Sequence, residues 1–133
     1  MRVVVTGAAG FIGSQLSEGL LHLGHDVVGV DLARCAAGSH PNFAYHQVDL
    51  RHDPLRRIFA GADAVVHLAA AVGQLPSWTS FEAYTGCNLV ATQRVLKTCR
   101  EERIGRLLAI SGSSVYARTP SATRPCRPAR SAA

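Results

Sequence analysis

Residues 3–13, Val-Val-Val-Thr-Gly-Ala-Ala-Gly-Phe-Ile-Gly, constrain the fold of this chain more than any other stretch. Three β-branched residues run into glycines at 7, 10 and 13, after which Ile12, Leu16, Leu20 and Leu23 recur at helical spacing. The pattern predicts a strand, a tight turn and a helix. Each glycine has a steric reason: Gly7 lets the backbone bend sharply, Gly10 removes a side chain where a pyrophosphate would approach, and Gly13 lets helix and strand pack closely. The unpaired amides of the helix's first turn, with the positive end of its dipole, then face an anion. Glycines placed between a strand and an amphipathic helix point to dinucleotide binding.

The rest of the chain reads as support for that turn. Gly24 supplies a helix stop, and His25 to Asp31 reads as a second strand ending in an acid. Asp31 follows Gly7 by 24 residues, close to the ~20-residue offset at which a dinucleotide fold places a carboxylate on the adenosine ribose. A strand-end turn or a helix cap is its alternative role. A carboxylate there repels the 2′-phosphate of NADP and favours NAD, while Arg34 leaves NADP open. Cys35 to Asn42 is a loop, and Phe43 to Val48 a short strand ending at Asp49-Leu50. Asp49 is placed either to reach an adenine amino group or to cap the next helix, which Asp53-Pro54 starts with Leu55, Ile58 and Phe59 as its apolar stripe.

Ala64 to Ala70 reads as a fully buried central strand, with His67 as a satisfied core residue. The loop at 72–80, with Gly73, Pro76 and Trp78, lies past the carboxyl end of that strand, where open α/β sheets bind ligands. Thr79-Ser80-Phe81-Glu82 fits a capping box launching a helix over 81–102 with Tyr84, Cys87, Ala91, Val95 and Cys99 on one face. Leu107 to Ser111 is the fifth strand. The expected fold is α/β: a doubly wound, Rossmann-like parallel sheet, incomplete, with about five strands.

A chain of 133 residues is one domain by length. Its net charge of +5 comes mostly from Arg118, Arg124, Arg127 and Arg130, and residues 1–116 are nearly neutral. No aromatic residues interleave with those arginines, so no nucleic-acid partner is expected. The four cysteines lack metal-ligand spacing, so no metal is expected and the thiols read as reduced. Apolar runs are far below membrane-spanning length and no signal peptide is evident, so no membrane partner is expected and a cytoplasmic location is the default.

Thr6 to Gly13, Asp49-Leu50, His67-Leu68-Ala69-Ala70, Asn88-Leu89-Val90-Ala91-Thr92 and Ser111-Gly112-Ser113-Ser114-Val115-Tyr116 stand in the order seen in the extended short-chain dehydrogenase/reductase family. The chain resembles the N-terminal part of its NAD-dependent nucleotide-sugar epimerases and dehydratases, over residues 1–116. The resemblance implies pyrophosphate contacts at Gly7, Ala9, Gly10, Phe11, Ile12 and Gly13, ribose binding by Asp31, and adenine contacts at Asp49 and Leu50. It also implies a groove wall of Leu68, Ala69 and Ala70, with Asn88 and Ser111 beside the cofactor. The implied cofactor is NAD, with NADP open, and the implied substrate a nucleotide sugar. Homodimerisation through helix 81–102 follows from the same resemblance.

Family catalysis uses a tyrosine as general acid/base and a lysine four residues later that lowers its pKa, because an unperturbed phenol titrates near ~10. Four residues after Tyr45, Tyr84 and Tyr116 stand Asp49, Asn88 and Pro120, so the sequence holds no Tyr-x-x-x-Lys. The family's catalytic Ser/Thr position falls on Gly112, and a one-residue shift brings Ser113 into the role. Residues 117–133, rich in Arg, Pro, Ser and Ala, read as a disordered tail, and the composition shift as truncation or a change of reading frame. The expected consequence is a cofactor-binding portion without turnover of its own, or a non-catalytic binding module.

Overall fold

The computed structural model of the chain describes residues 1–34, 40–72 and 81–112. Strands β1 (Arg2–Thr6), β2 (Asp26–Asp31), β3 (Phe43–Gln47), β4 (Ala64–His67) and β5 (Leu107–Ala109) form one sheet in the order β3-β2-β1-β4-β5. Each recorded pairing is parallel, with Val4 opposite both Val28 and Val65, and Val65 opposite Leu107. The doubly wound architecture expected from the sequence is therefore present.

Connections that step left from β1 and right from β3 must, with right-handed crossovers, lay their helices on opposite faces. Helix α1 (Phe11–His22) accordingly covers Val3, Val5 and Val27 with Leu16, Leu20 and Leu21. On the other face, helices α2 (Arg56–Phe59) and α4 (Ala91–Glu101) cover Val4, Val28, Val30 and Val65 with Phe59, Val95 and Cys99. Burying each of these valines fully stabilises the fold by about 1.5–3 kcal/mol before entropy is counted. The order in which strands are added reverses between β1 and β4, so the carboxyl ends of these parallel strands form the switch point at which open α/β sheets leave a crevice.

Several boundaries differ from the sequence expectation. Helix α2 is one turn starting at Arg56, not at Asp53, because the Asp53 carboxylate turns back to accept the Asp49 amide at 2.6 Å. Strand β4 ends at His67: the Leu68 amide is shared between the Thr6 carbonyl and Thr6 Oγ1, each at 3.2 Å, and the Ala69 amide turns to Oγ1 at 3.3 Å. With its ladder partner ended, β5 stops at Ala109, leaving Ser111 beyond the strand. The long helix is divided: α3 (Phe81–Tyr84) and α4 flank a π-helical stretch at Thr85–Val90. Ile12 and Leu23, read as part of the α1 stripe, are exposed, because Gly13 and Ser17 take the innermost positions and Leu23 lies past the last turn. The capping box begins at Thr79 and the loop at 73–80 follows Val72, both outside the described residues, as are Ser113, Tyr116 and the tail at 117–133.

Candidate cofactor-binding site

A cleft of about 1190 Å³ opens at the carboxyl ends of β1, β2 and β4, just beyond the ~300–1,000 Å³ of compact small-molecule sites. Its floor is the turn after β1. Gly7 takes φ +72°, and a Cβ there would stand 2.8 Å from the Ala69 nitrogen. A Cβ on Gly13 would stand 2.1 Å from the Gly7 carbonyl oxygen. Glycine at both positions is thus required by close backbone approach. Gly10 is extended at the N-terminus of α1, and its amide donates to the Gly7 carbonyl at 3.0 Å.

The cradle's amides divide into two groups. Ala9 donates to Asp31 Oδ2 at 2.9 Å, and Gly10 is used within the turn. Phe11 and Ile12 open α1 with amides that no hydrogen bond among the described residues uses. Of the Ala9–Ile12 run, Phe11 and Ile12 are the amides left to meet a phosphate at the positive end of the helix dipole. A glycine cradle with free amides at a helix start, opposite a carboxylate at the end of β2, fits a dinucleotide.

Asp31 takes the strand-end turn role that the sequence left as its alternative, and it also lines the cleft. Oδ2 accepts the Ala9 amide and Oδ1 the Ala33 amide at 3.0 Å, so the carboxylate ties the turn to the end of β2. A carboxylate offers about four acceptor sites, so about two remain for hydroxyl donors from the cleft.

Asp49 is held by Arg51: Nε and Nη2 of the guanidinium reach its carboxylate at 2.9 and 2.7 Å. This pairing holds the Asp49 pKa at about 2. Leu50 is buried in the core on the α4 side while still lining the cleft. Leu68, Ala69 and Ala70 form the wall beyond β4, and Ser111 lies at the rim. Every sequence-predicted cofactor residue therefore lines one cleft, with Ser113 outside the described residues.

Asn88 lies in the π-helical stretch and grips a single backbone unit: its Oδ1 accepts the Ala71 amide at 2.8 Å, and its Nδ2 donates to the Ala71 carbonyl at 3.1 Å. Two residues missed as site members are Arg51, whose role depends on the Asp49 carboxylate, and Thr92, whose hydroxyl meets His67 Nε2 at 2.9 Å. His67 is 5 % exposed and bonded at both ring nitrogens, a satisfied core residue as expected, yet it also touches the cleft. Burial lowers its pKa. Among the described residues no group of three or more His, Cys, Asp or Glu side chains could hold a metal ion.

The fold and cleft define a Rossmann-like dinucleotide-type domain. The chain belongs to the NAD dependent epimerase/dehydratase family, whose model matches residues 3–131 and so runs past the motif resemblance that ended at 116. It is 37% identical over 133 residues to an uncharacterised UDP-glucose epimerase, YtcB, of Bacillus subtilis (strain 168), covering 87% of this chain and 41% of that protein. It is 34% identical over 125 residues to a 2-alkyl-3-oxoalkanoate reductase of Stenotrophomonas maltophilia (strain K279a), covering 92% and 34%. The structure of MoeE5 in complex with UDP-glucuronic acid and NAD superposes with a TM-score of 0.81 at 41% identity, over 87% of this chain and 38% of that one. The chain thus spans well under half the length of the relatives it matches.

Proposed function

We propose that this chain is the NAD-binding portion of an NAD-dependent nucleotide-sugar epimerase or dehydratase. The observation that carries the reading is the convergence, in one cleft at the switch point, of the glycine cradle, the Asp31 carboxylate and the wall at Leu68–Ala70. The MoeE5 complex, which holds NAD and UDP-glucuronic acid on a closely similar backbone, supports it. When bound, NAD supplies a hydride acceptor and donor. In this reading Phe11 and Ile12 hold the pyrophosphate, Asp31 accepts the ribose hydroxyls, and Asp49 with Leu50 meets the adenine. Asp31 favours NAD over NADP.

The reading includes the absence of turnover by the 133 residues alone. They contain no Tyr-x-x-x-Lys to take a sugar-hydroxyl proton, which leaves the Ser/Thr role that the resemblance gives to Ser113 without that base. The same sequence observation favours a second reading, a non-catalytic NAD-binding module or a partner subunit. Incubation with NAD and UDP-glucose or UDP-glucuronic acid tests this. Steady NADH formation or epimer interconversion overturns the absence of turnover. Saturable UDP-sugar binding in the presence of NAD supports the epimerase reading, and NAD binding indifferent to every such compound supports the module.

A homodimer through helix 81–102 belongs to the same proposal, supported by the exposure of Phe81, Leu89 and Leu96 along that segment. Light scattering of the eluted protein would give twice the 14.1 kDa chain mass, and a monomer mass at every concentration would remove it. A cytoplasmic location completes the proposal. Among the described residues no helix is long and apolar enough to cross a membrane.

A further inference from the structure

The end of β1, the end of β4 and the start of α4 are joined by four successive polar contacts. Thr6 Oγ1 stands 2.7 Å from His67 Nδ1, and His67 Nε2 stands 2.9 Å from Thr92 Oγ1. Thr92 Oγ1 donates to the Asn88 carbonyl at 2.9 Å, and the Asn88 side chain holds Ala71. At the other end Thr6 Oγ1 accepts the amides of Leu68 and Ala69.

Counting donors and acceptors fixes the protons. The Thr92 hydroxyl spends its single hydrogen on Asn88, so toward His67 it can only accept, and Nε2 must carry a hydrogen. The Thr6 oxygen is approached by the Ala69 amide and by the Leu68 amide, which it shares with the Thr6 carbonyl at 3.2 Å, so toward His67 the hydroxyl donates and the neutral ring, protonated at Nε2, keeps Nδ1 bare. The relay closes only with a neutral, Nε2-protonated imidazole. Burial, which lowers the His67 pKa, favours the same form. The groups that meet the ring nitrogens are uncharged: the Thr6 hydroxyl from β1 and the Thr92 hydroxyl from α4, while Ile110, just past β5, meets the His67 carbonyl with its amide. On α4, Arg94 is turned to the Asp53 carbonyl and Lys97 to Glu101, and Cys87 of the π-helical stretch lines the cleft.

We propose that His67, in its neutral Nε2-protonated tautomer, is a positioning residue for the dinucleotide, holding the Gly7 turn and the Leu68–Ala71 wall at a fixed separation. The role rests on the NAD-binding reading above. A second proton on the ring would aim Nδ1–H at an oxygen that the Leu68 and Ala69 amides already approach and leave the Thr6 hydrogen without its acceptor on the ring. The crowded place where this happens is also where Gly7 meets the backbone of residues 68 and 69. Acid would therefore move the wall against the cradle before the sheet itself came apart.

The test joins histidine nitrogen NMR to NAD titration calorimetry of the full chain between about pH 7.5 and pH 5, with circular dichroism confirming the fold at each step. The expected result is an Nε2-protonated His67 at neutral pH and an NAD Kd that weakens by about tenfold as His67 charges, the scale of one lost buried hydrogen bond. His67→Asn, which keeps an acceptor for Thr6 but cannot charge, should bind NAD with that acid dependence removed. Thr92→Val should weaken binding and Thr92→Ser restore it, which keeps the test open if the His67 variant does not fold. An Nδ1-protonated or charged His67 at neutral pH, or the same acid dependence in wild type and His67→Asn, overturns the positioning role alone. A chain with the expected tautomer that binds no NAD at any pH overturns the NAD-binding reading, and this role with it.

Discussion

The Oδ2 oxygen of Asp31 accepts the backbone amide of Ala9 at 2.9 Å, joining the end of β2 to the glycine turn across 22 residues of sequence. The carboxylate thus shapes the cradle as well as facing the cleft. Asp31→Asn keeps one acceptor oxygen and removes the charge that repels a 2′-phosphate. Loss of a charged hydrogen-bond acceptor is worth about 1.5–3 kcal/mol, so NAD binding should weaken by roughly 10- to 100-fold. NADP binding should weaken less, and paired titrations of the two nucleotides would read the ratio.

Gly13→Ala should damage both stability and binding. Its Cβ would fall 2.1 Å from the Gly7 carbonyl oxygen, a backbone atom that no side-chain rotation can move away. Overpacking of this kind costs about 1–3 kcal/mol or more. A lowered melting temperature together with lost NAD binding is expected. Gly19→Ala, whose Cβ meets nothing within 4 Å, should be harmless or slightly stabilising.

The pair Asp49–Arg51 should set part of the acid limb of stability. Asp49 sits at about 2 in the folded chain against an ordinary value of 3.8. A carboxylate with a depressed folded pKa stabilises the native state above its unfolded pKa and loses that contribution as pH falls through the folded one. Denaturation of wild type and Arg51→Met should therefore differ by a constant amount above about pH 5, with the difference shrinking toward about pH 2.

The β-branched runs at Val3–Val5 and Val27–Val30 made the central strands legible, because side chains buried on both faces of a parallel sheet leave no polar alternation. Gly7, Gly13 and Asp31 made the cleft legible, since the two glycines are demanded by close backbone approach and Asp31 by its strand-end position. The π-helical stretch at Thr85–Val90 left no such trace. It is fixed by what Asn88 and Thr92 grip, partners 17 and 25 residues away in sequence. The early end of β4 was hidden for the same reason, for it depends on Thr6, 61 residues from His67. The resemblance placed Asp49 at the adenine, and the Arg51 fork that orients it emerged only from side-chain geometry.

Asn88→Ala should loosen the cleft wall without unfolding the sheet. The substitution leaves the amide and carbonyl of Ala71 without their side-chain partners, a cost of about 1–3 kcal/mol if both stay buried. Faster hydrogen exchange confined to the Ala71 amide and its neighbours is the expected signature. Global loss of protection would mean that Asn88 supports the whole fold.

The most direct measurement of the central claim is calorimetric titration of the purified 133-residue chain with NAD near neutral pH, with NADP in parallel. Saturable one-to-one binding of NAD, tighter than that of NADP and abolished by Gly13→Ala, is the predicted result. A folded chain that takes up neither nucleotide, or that binds both equally well with Gly13→Ala in place, would contradict the account.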